Sequence, residues 1–194
     1  MQPNTLKETV RGIQPVTIED EMLQHREVFL TEKVCRKTAE ELLKQLMYLE
    51  RERPGEPVTM YINSPGGEVA SGLAVFDYIG VMESPVNTVC IGSAASMGAI
   101  LFLAGKERSI LRNSEIMIHD PSFSTGDIGG KKPFEIQEKL NQLMSVRDKL
   151  SKIIAERTGM TEEEVCRRTK TDSYLNAQEA LELGIATKII EKEK

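Results

Sequence analysis

The spacing of apolar residues predicts alternating strands and helices along most of the chain. Runs of β-prone residues predict strands at 27–30, 58–62, 88–91, 108–111, 115–118 and 187–190. Elsewhere, apolar residues recur every three or four positions, which is the spacing of a helix face packed on a core. Helices are predicted in this way around 39–49, 69–79, 99–104 and 136–154. Strands alternating with helices favour an α/β fold, in which helices pack on a sheet.

The two ends of the chain differ from this regular centre. Residues 1–16 lack periodicity and are interrupted by prolines and a glycine, so we expect a mobile N-terminal arm before a single domain at 17–194. Capping signals predict three short helices, with the cap pairs Thr17 and Asp20, Thr161 and Glu164, and Asn176 and Glu179. Asp172 is expected on an irregular stretch just before the last of these caps.

The longest predicted helix follows a glycine-rich loop at 121–133 and continues to about Arg157. At about 25 residues it would be roughly 37 Å long, which exceeds most helices of globular domains. Its apolar stripe contains Ile136, Leu140, Leu143, Leu150, Ile153 and Ile154. Either the stripe packs within the domain, or the helix projects and a partner covers it, and the sequence leaves both open.

Composition narrows the classes of function. The 194 residues carry a net charge of −5, which argues against nucleic acid as a main partner. Three dispersed cysteines and two histidines suggest neither a disulfide framework nor a metal site. The chain has no apolar run of membrane-spanning length, and residues 1–11 lack the core of a signal peptide, so we expect a cytoplasmic protein.

The first candidate for chemistry is the stretch TVCIGSAASMG at 88–98. A strand there leads through small residues, including Ser93 and Ser96, into the start of a helix. Unpaired N–H groups at a helix start can stabilise negative charge, which suits a reacting serine, although small residues also serve tight packing. The strand at 58–62 runs similarly into a turn with Gly66 and Gly67, which allow close approach of a ligand. A plain β-turn is the alternative there.

A histidine completes the candidate site. His119 follows the strand at 115–118, and the C-terminal ends of strands are where α/β sheets place their sites. Serine, histidine and outward N–H groups are the parts that acyl transfer requires, together with a carboxylate that orients the histidine. Asp120 is poorly placed for this, because neighbouring residues on a strand point to opposite faces. The remaining candidates are Asp127, Asp148 and Asp172.

Four motifs then give a resemblance to a known family. They are YINSPGGEV at 61–69, CIGSAASMGA at 90–99, NSEIMIHDP at 113–121 and TDSYLNAQEALELGI at 171–185. In content and order they resemble the ClpP family of serine peptidases, the proteolytic subunits of ATP-dependent Clp proteases. The likeness extends from about residue 11 to residue 190.

The resemblance implies roles for individual residues. Ser96 matches the nucleophile, His119 the general base and Asp172 the acid of the triad, whereas Ser93 is only a neighbour. The backbone N–H groups of Gly67 and Met97 match the oxyanion hole. The implied fold is crotonase-like, a ββα superhelix, and no cofactor or metal is expected, since ATP would bind a partner.

The same resemblance implies an assembly. The segment at 123–157 corresponds to a protruding handle that joins two heptameric rings into a tetradecamer, and a hexameric AAA+ Clp ATPase would deliver unfolded protein substrates.

Three positions depart from the family pattern. Thr171 stands where an arginine is frequent, Asp120 where a glutamine is usual, and Thr59 where an aromatic residue is frequent. A structural or regulatory subunit of a mixed ring with a second ClpP-type chain is therefore an alternative. A crotonase-type acyl-CoA enzyme is a third, against which a complete triad argues.

Overall fold

The structure, a computed structural model, describes residues 4–9, 12–123 and 129–191. Strands and helices alternate from Glu27 to Leu111, as the apolar pattern predicts. In chain order the elements are β1 (Asn4–Thr9), β2 (Gly12–Thr17), α1 (Ile18–Gln24), β3 (Glu27–Leu30), α2 (Arg36–Glu52), β4 (Val58–Ser64), α3 (Val69–Val81), β5 (Val86–Ala95), α4 (Met97–Leu103), β6 (Arg108–Leu111), β7 (Glu115–Ile118), α5 (Pro133–Arg157), α6 (Glu162–Thr169), β8 (Ser173–Asn176), α7 (Ala177–Glu182) and β9 (Lys188–Ile190).

A seven-stranded sheet organises these elements. Strands β3, β4, β5, β6 and β9 are neighbours in that order, and all of these pairs are parallel. Strand β5 pairs with β6 along 88–90 and then with β7 along 93–95, so its second half has a different neighbour. Strand β8 is antiparallel to β7. The C-terminal end of β5 therefore lies between β4 and β7, the strands that precede the glycine turn and His119.

Helix α4 is the centre of the core. Every residue from Met97 to Leu103 is buried, which is unusual for a helix in a small domain and leaves no face in water. Burial on all sides fixes the helix, because moving it would open cavities against closely packed neighbours. The first turn of α4, where the serine block ends, therefore has a firmly held backbone.

Helix α5 confirms the long helix that the sequence predicts. Its buried residues are Leu150, Ser151 and Ile154, all in the last third, whereas Phe134 is 73% exposed and Leu140 and Met144 are 40% exposed. The first half of the helix, before Val146 begins to pack on the core, thus extends away from the core with apolar side chains in solvent. The preceding loop is described only in part, and residues 124–128, including Asp127, lie outside the described residues.

Three strands, β1, β2 and β8, are not predicted by the apolar pattern of the sequence. The segment assigned to an N-terminal arm contains a hairpin, in which β1 and β2 pair from Asn4 opposite Thr17 to Thr9 opposite Gly12. Its Leu6 and Ile13 are 76% and 70% exposed, so the hairpin has no buried face whose periodicity could be recognised. Strand β8 was expected to be irregular, but it pairs with β7, and only Leu175 among its four residues is buried.

No helix among the described ranges is both long and apolar enough to span a membrane.

Candidate active site

Ser96 occupies a sharp turn between β5 and α4. Its backbone has φ 54° and ψ −118°, a region that non-glycine residues rarely adopt and that costs about 1–3 kcal/mol. The turn is held because the Ser96 N–H donates to the carbonyl of Met117 in β7, at 2.8 Å. A Cβ on Gly98 would lie 2.9 Å from the Ser64 carbonyl oxygen, so small residues are required around the serine. Tight packing and the presentation of Ser96 therefore depend on the same residues.

His119 lies in contact with Ser96. Its Nε2 is 2.8 Å from the Ser96 Oγ, and its side chain is 26% exposed. The sheet produces this contact, since β7 is the parallel neighbour of the end of β5, with Ala95 opposite Met117. Both residues follow their strands at the same edge, as expected from the sequence.

Asp172 approaches the other nitrogen of the same ring. Its Oδ1 is 3.2 Å from the His119 Nδ1, at the long end of the hydrogen-bond range. A carboxylate can only accept, so a hydrogen bond between these two atoms requires the tautomer with its proton on Nδ1. The Nε2 of that tautomer is then free to accept from the Ser96 hydroxyl.

The structure shows which of the candidate carboxylates contacts His119. Asp172 directly precedes β8, whose pairing with β7 sets Ser173 opposite Ile118 and so brings Asp172 beside His119. Asp148 instead pairs with Arg147 at 2.7 Å on helix α5. The Asp120 carboxylate accepts from the Thr169 hydroxyl at 2.6 Å, in agreement with the expectation that it does not orient His119. Asp127 lies outside the described residues.

The backbone N–H groups of Gly67 and Met97 lie near the serine turn. A Cβ on Gly66 would be 2.4 Å from the Ala95 carbonyl oxygen and 2.7 Å from the Met97 nitrogen, so the glycine turn packs directly on the Ser96 turn. In the part of the chain that the structure describes, no hydrogen bond occupies either N–H. The Met97 side chain is buried against Gly72, which leaves only its backbone for a ligand.

Val34, which is not among the residues predicted from the sequence, holds the glycine turn in place. Its N–H donates to the Gly66 carbonyl and its carbonyl accepts from the Glu68 N–H, each at 2.8 Å. These bonds form a single parallel bridge with Gly67. The Ser64 hydroxyl adds a second restraint by accepting from the Gly66 N–H at 3.2 Å. One bridge has no periodicity, so no sequence signal could have identified Val34.

Ser96 and His119 line a cleft of about 570 Å³ that is partly open to solvent. Apolar side chains of α4 and α5, including Ile100, Leu150 and Ile154, form one side of it. Cys35 lies at its edge, where the backbone N–H and then the hydroxyl of Thr38 lower the pKa of the thiol by stabilising the thiolate. A cleft of this size can accept a side chain of an extended peptide beside the serine.

The described residues also include side chains of the kinds that could bind a metal ion together. Among residues 4–9, 12–123 and 129–191, no group of three or more His, Cys, Asp or Glu side chains is arranged to hold a metal ion.

A comparison with known protein families identifies a family that includes this site. The family model described as Clp protease covers residues 11–193, which include all five residues of the candidate site. The seven-stranded sheet with its mainly parallel strands and the seven described helices is consistent with the ClpP fold that the resemblance implied. The chain therefore belongs to the Clp protease family and is a ClpP-type serine peptidase.

Proposed function

We propose that this chain is the serine endopeptidase subunit of an ATP-dependent, self-compartmentalised protease that degrades unfolded proteins to short peptides. The observation that carries the proposal is the 2.8 Å contact between the Ser96 Oγ and the His119 Nε2. A serine hydroxyl is a weak nucleophile until a base removes its proton, and His119 is within reach to do so. The contact equally argues against a purely structural subunit and against an acyl-CoA enzyme that lacks a triad.

The proposed reaction proceeds through an acyl-enzyme. The Ser96 Oγ attacks the peptide carbonyl while His119 takes the hydroxyl proton, and Asp172 stabilises the imidazolium that forms. The oxyanion accepts hydrogen bonds from the N–H groups of Gly67 and Met97. His119 then donates its proton to the leaving amine, and a water molecule, activated by the same histidine, hydrolyses the ester. No step calls for a metal or cofactor, and ATP is consumed by the partner.

The family and the exposed face of α5 support an oligomer. Clp proteases are oligomeric and work with Clp ATPases, and a projecting apolar helix needs a partner surface. We therefore propose heptameric rings that pair through α5 into a tetradecamer, served in the cytoplasm by a hexameric AAA+ ATPase. Residues 17–194 would form the peptidase domain, with 123–157 as the handle and 1–16 as an arm.

A fluorophosphonate probe tests the nucleophile. The assembled protein is expected to become labelled, with mass spectrometry locating the adduct on Ser96, because the probe reacts with serines that a base activates. Ser96→Ala should remain unlabelled. An assembled, folded wild-type protein that resists the probe would contradict the proposal. In a mixed ring, peptide hydrolysis unchanged by Ser96→Ala would instead favour the structural subunit.

A charge on the exposed face of α5 tests the assembly. Leu140→Arg is expected to shift the protein from the tetradecamer toward single rings or smaller species, since burying an arginine where a leucine packs costs about 1–2 kcal/mol or more at each contact. Sedimentation velocity would measure the distribution. Gln142→Arg introduces the same charge about 200° around the helix, and it should assemble as wild type. Identical distributions for wild type and Leu140→Arg would exclude this face as the interface.

A further inference from the structure

Two hydrogen bonds join the residue after His119 to the end of helix α6. The Asp120 N–H donates to the Thr169 carbonyl at 2.7 Å, and the Thr169 hydroxyl donates to the Asp120 Oδ1 at 2.6 Å. Thr169 is the last residue of α6 and is 3% exposed, whereas Asp120 is half-buried. A buried hydroxyl bonded to a carboxylate is among the stronger hydrogen bonds in proteins, so this two-point contact is firmly held.

Within the described ranges, the side chain of Asp172 has few contacts that restrain it. Its side chain is 59% exposed, and among the described residues His119 is the one partner of its carboxylate. A solvent-exposed ion pair is weak by itself, because water and rotamer freedom compete with it. The position of the Asp172 backbone must therefore decide how often the carboxylate faces the imidazole.

The backbone at Asp172 is held by contacts of the residues that precede it and of the residues that follow it. After Asp172, the β7–β8 ladder pairs Ser173 with Ile118, the residue before His119. Before Asp172, only Lys170 and Thr171 separate it from Thr169, which binds Asp120, the residue after His119. The segments carrying the base and the acid are thus joined immediately on each side of the histidine. Loss of either the β7–β8 pairing or the Asp120–Thr169 hydrogen bonds would lengthen the unrestrained segment around Asp172.

We propose that Asp120 and Thr169 form a clamp that positions Asp172 against the Nδ1 of His119 and thereby supports turnover. This inference rests on the function proposed above and adds two positioning residues to it. Neither side chain lines the cleft beside Ser96, so the clamp acts through Asp172 and not through the substrate. It contributes mainly to kcat, since misplacement of a triad member weakens proton transfer and leaves substrate binding intact.

Steady-state hydrolysis of a fluorogenic peptide tests the clamp. Thr169→Val keeps the buried shape and removes the hydroxyl, and it should lower kcat about 10- to 100-fold with little change in KM. Thr169→Ser, which retains the hydroxyl, should restore most of kcat. The matched control is Thr161→Val, which removes the threonine hydroxyl that accepts from the Glu164 N–H at the other end of α6. It should leave kcat unchanged.

A double-mutant cycle then shows whether the clamp acts through Asp172. In an Asp172→Asn background, adding Thr169→Val should change kcat by less than about 3-fold, because a missing carboxylate cannot be misplaced further. Asp120→Ala, at a half-buried position, removes the acceptor and should also lower kcat, even if Thr169→Val fails to fold.

The outcomes separate the two proposals. A wild-type kcat in both Thr169→Val and Asp120→Ala, or multiplicative losses in the cycle, would overturn the clamp alone. Wild-type protein without peptide hydrolysis and without fluorophosphonate labelling would overturn the proposed function and the clamp together.

Discussion

Replacing Ser96 with alanine is expected to lower kcat/KM for peptide hydrolysis by at least about 10,000-fold, with little effect on assembly or stability. The hydroxyl is the atom that forms the acyl-enzyme, and the 2.8 Å contact with His119 gives it a base. Alanine keeps the Cβ and removes only the oxygen. Because the members of a triad act as a unit, His119→Ala should give a similar loss, and the double variant should be little worse.

Ser93 provides the matched control within the same strand. It lies three residues earlier in β5, opposite Glu115, and does not line the cleft. Ser93→Ala is therefore expected to retain kcat/KM within about 3-fold, because Ser93 is only half-buried and, among the described residues, its hydroxyl makes no hydrogen bond that alanine would remove. Hydrolysis of a fluorogenic peptide by purified, size-checked protein measures both variants. Equal loss in the two serine variants, or substantial activity in Ser96→Ala, would remove Ser96 from its proposed role.

The contact between Ser96 and His119 can be predicted from the apolar pattern of the sequence and the geometry of parallel sheets. Apolar runs identify β4, β5 and β7, and parallel strands place their C-terminal ends at one edge of the sheet. The residue that follows each strand therefore meets the others, whatever the exact length of the loops between them. Gly66 and Gly67, Ser96 and His119 all follow strands in this way. Their convergence could be predicted without a template.

The remaining parts of the site depend on pairings that leave no periodic signal. Asp172 reaches His119 through β8, a four-residue strand with one buried side chain, and spacing alone left three candidate carboxylates open. Only the resemblance to a known family selected Asp172. The bridge from Val34 to the glycine turn and the clamp between Asp120 and Thr169 are each one or two hydrogen bonds between distant segments. Such contacts are set by tertiary packing, which local patterns do not encode.

The glycine turn provides the second large effect, because Gly67 has neither the space nor the backbone for a side chain. Its φ is +150°, which L residues rarely adopt, and a Cβ there would lie 2.1 Å from the Val34 carbonyl oxygen. Gly67→Ala is therefore expected to lower the free energy of unfolding by about 2–5 kcal/mol, from backbone strain plus overpacking. To relieve the clash, the turn must move away from Val34 and shift its N–H relative to Ser96.

Loss of that N–H from the oxyanion site should lower kcat about 100- to 1,000-fold, even at temperatures where the variant is folded. Denaturant unfolding and peptide hydrolysis below the unfolding transition would measure the two effects separately. Gly80→Ala is the control, because a Cβ there meets no atom within 4 Å and Gly80 lies in helix α3. It should gain up to about 1 kcal/mol of stability and keep its kcat. A Gly67→Ala protein with both wild-type stability and wild-type kcat would show that the turn tolerates a side chain and that its N–H does not bind the oxyanion.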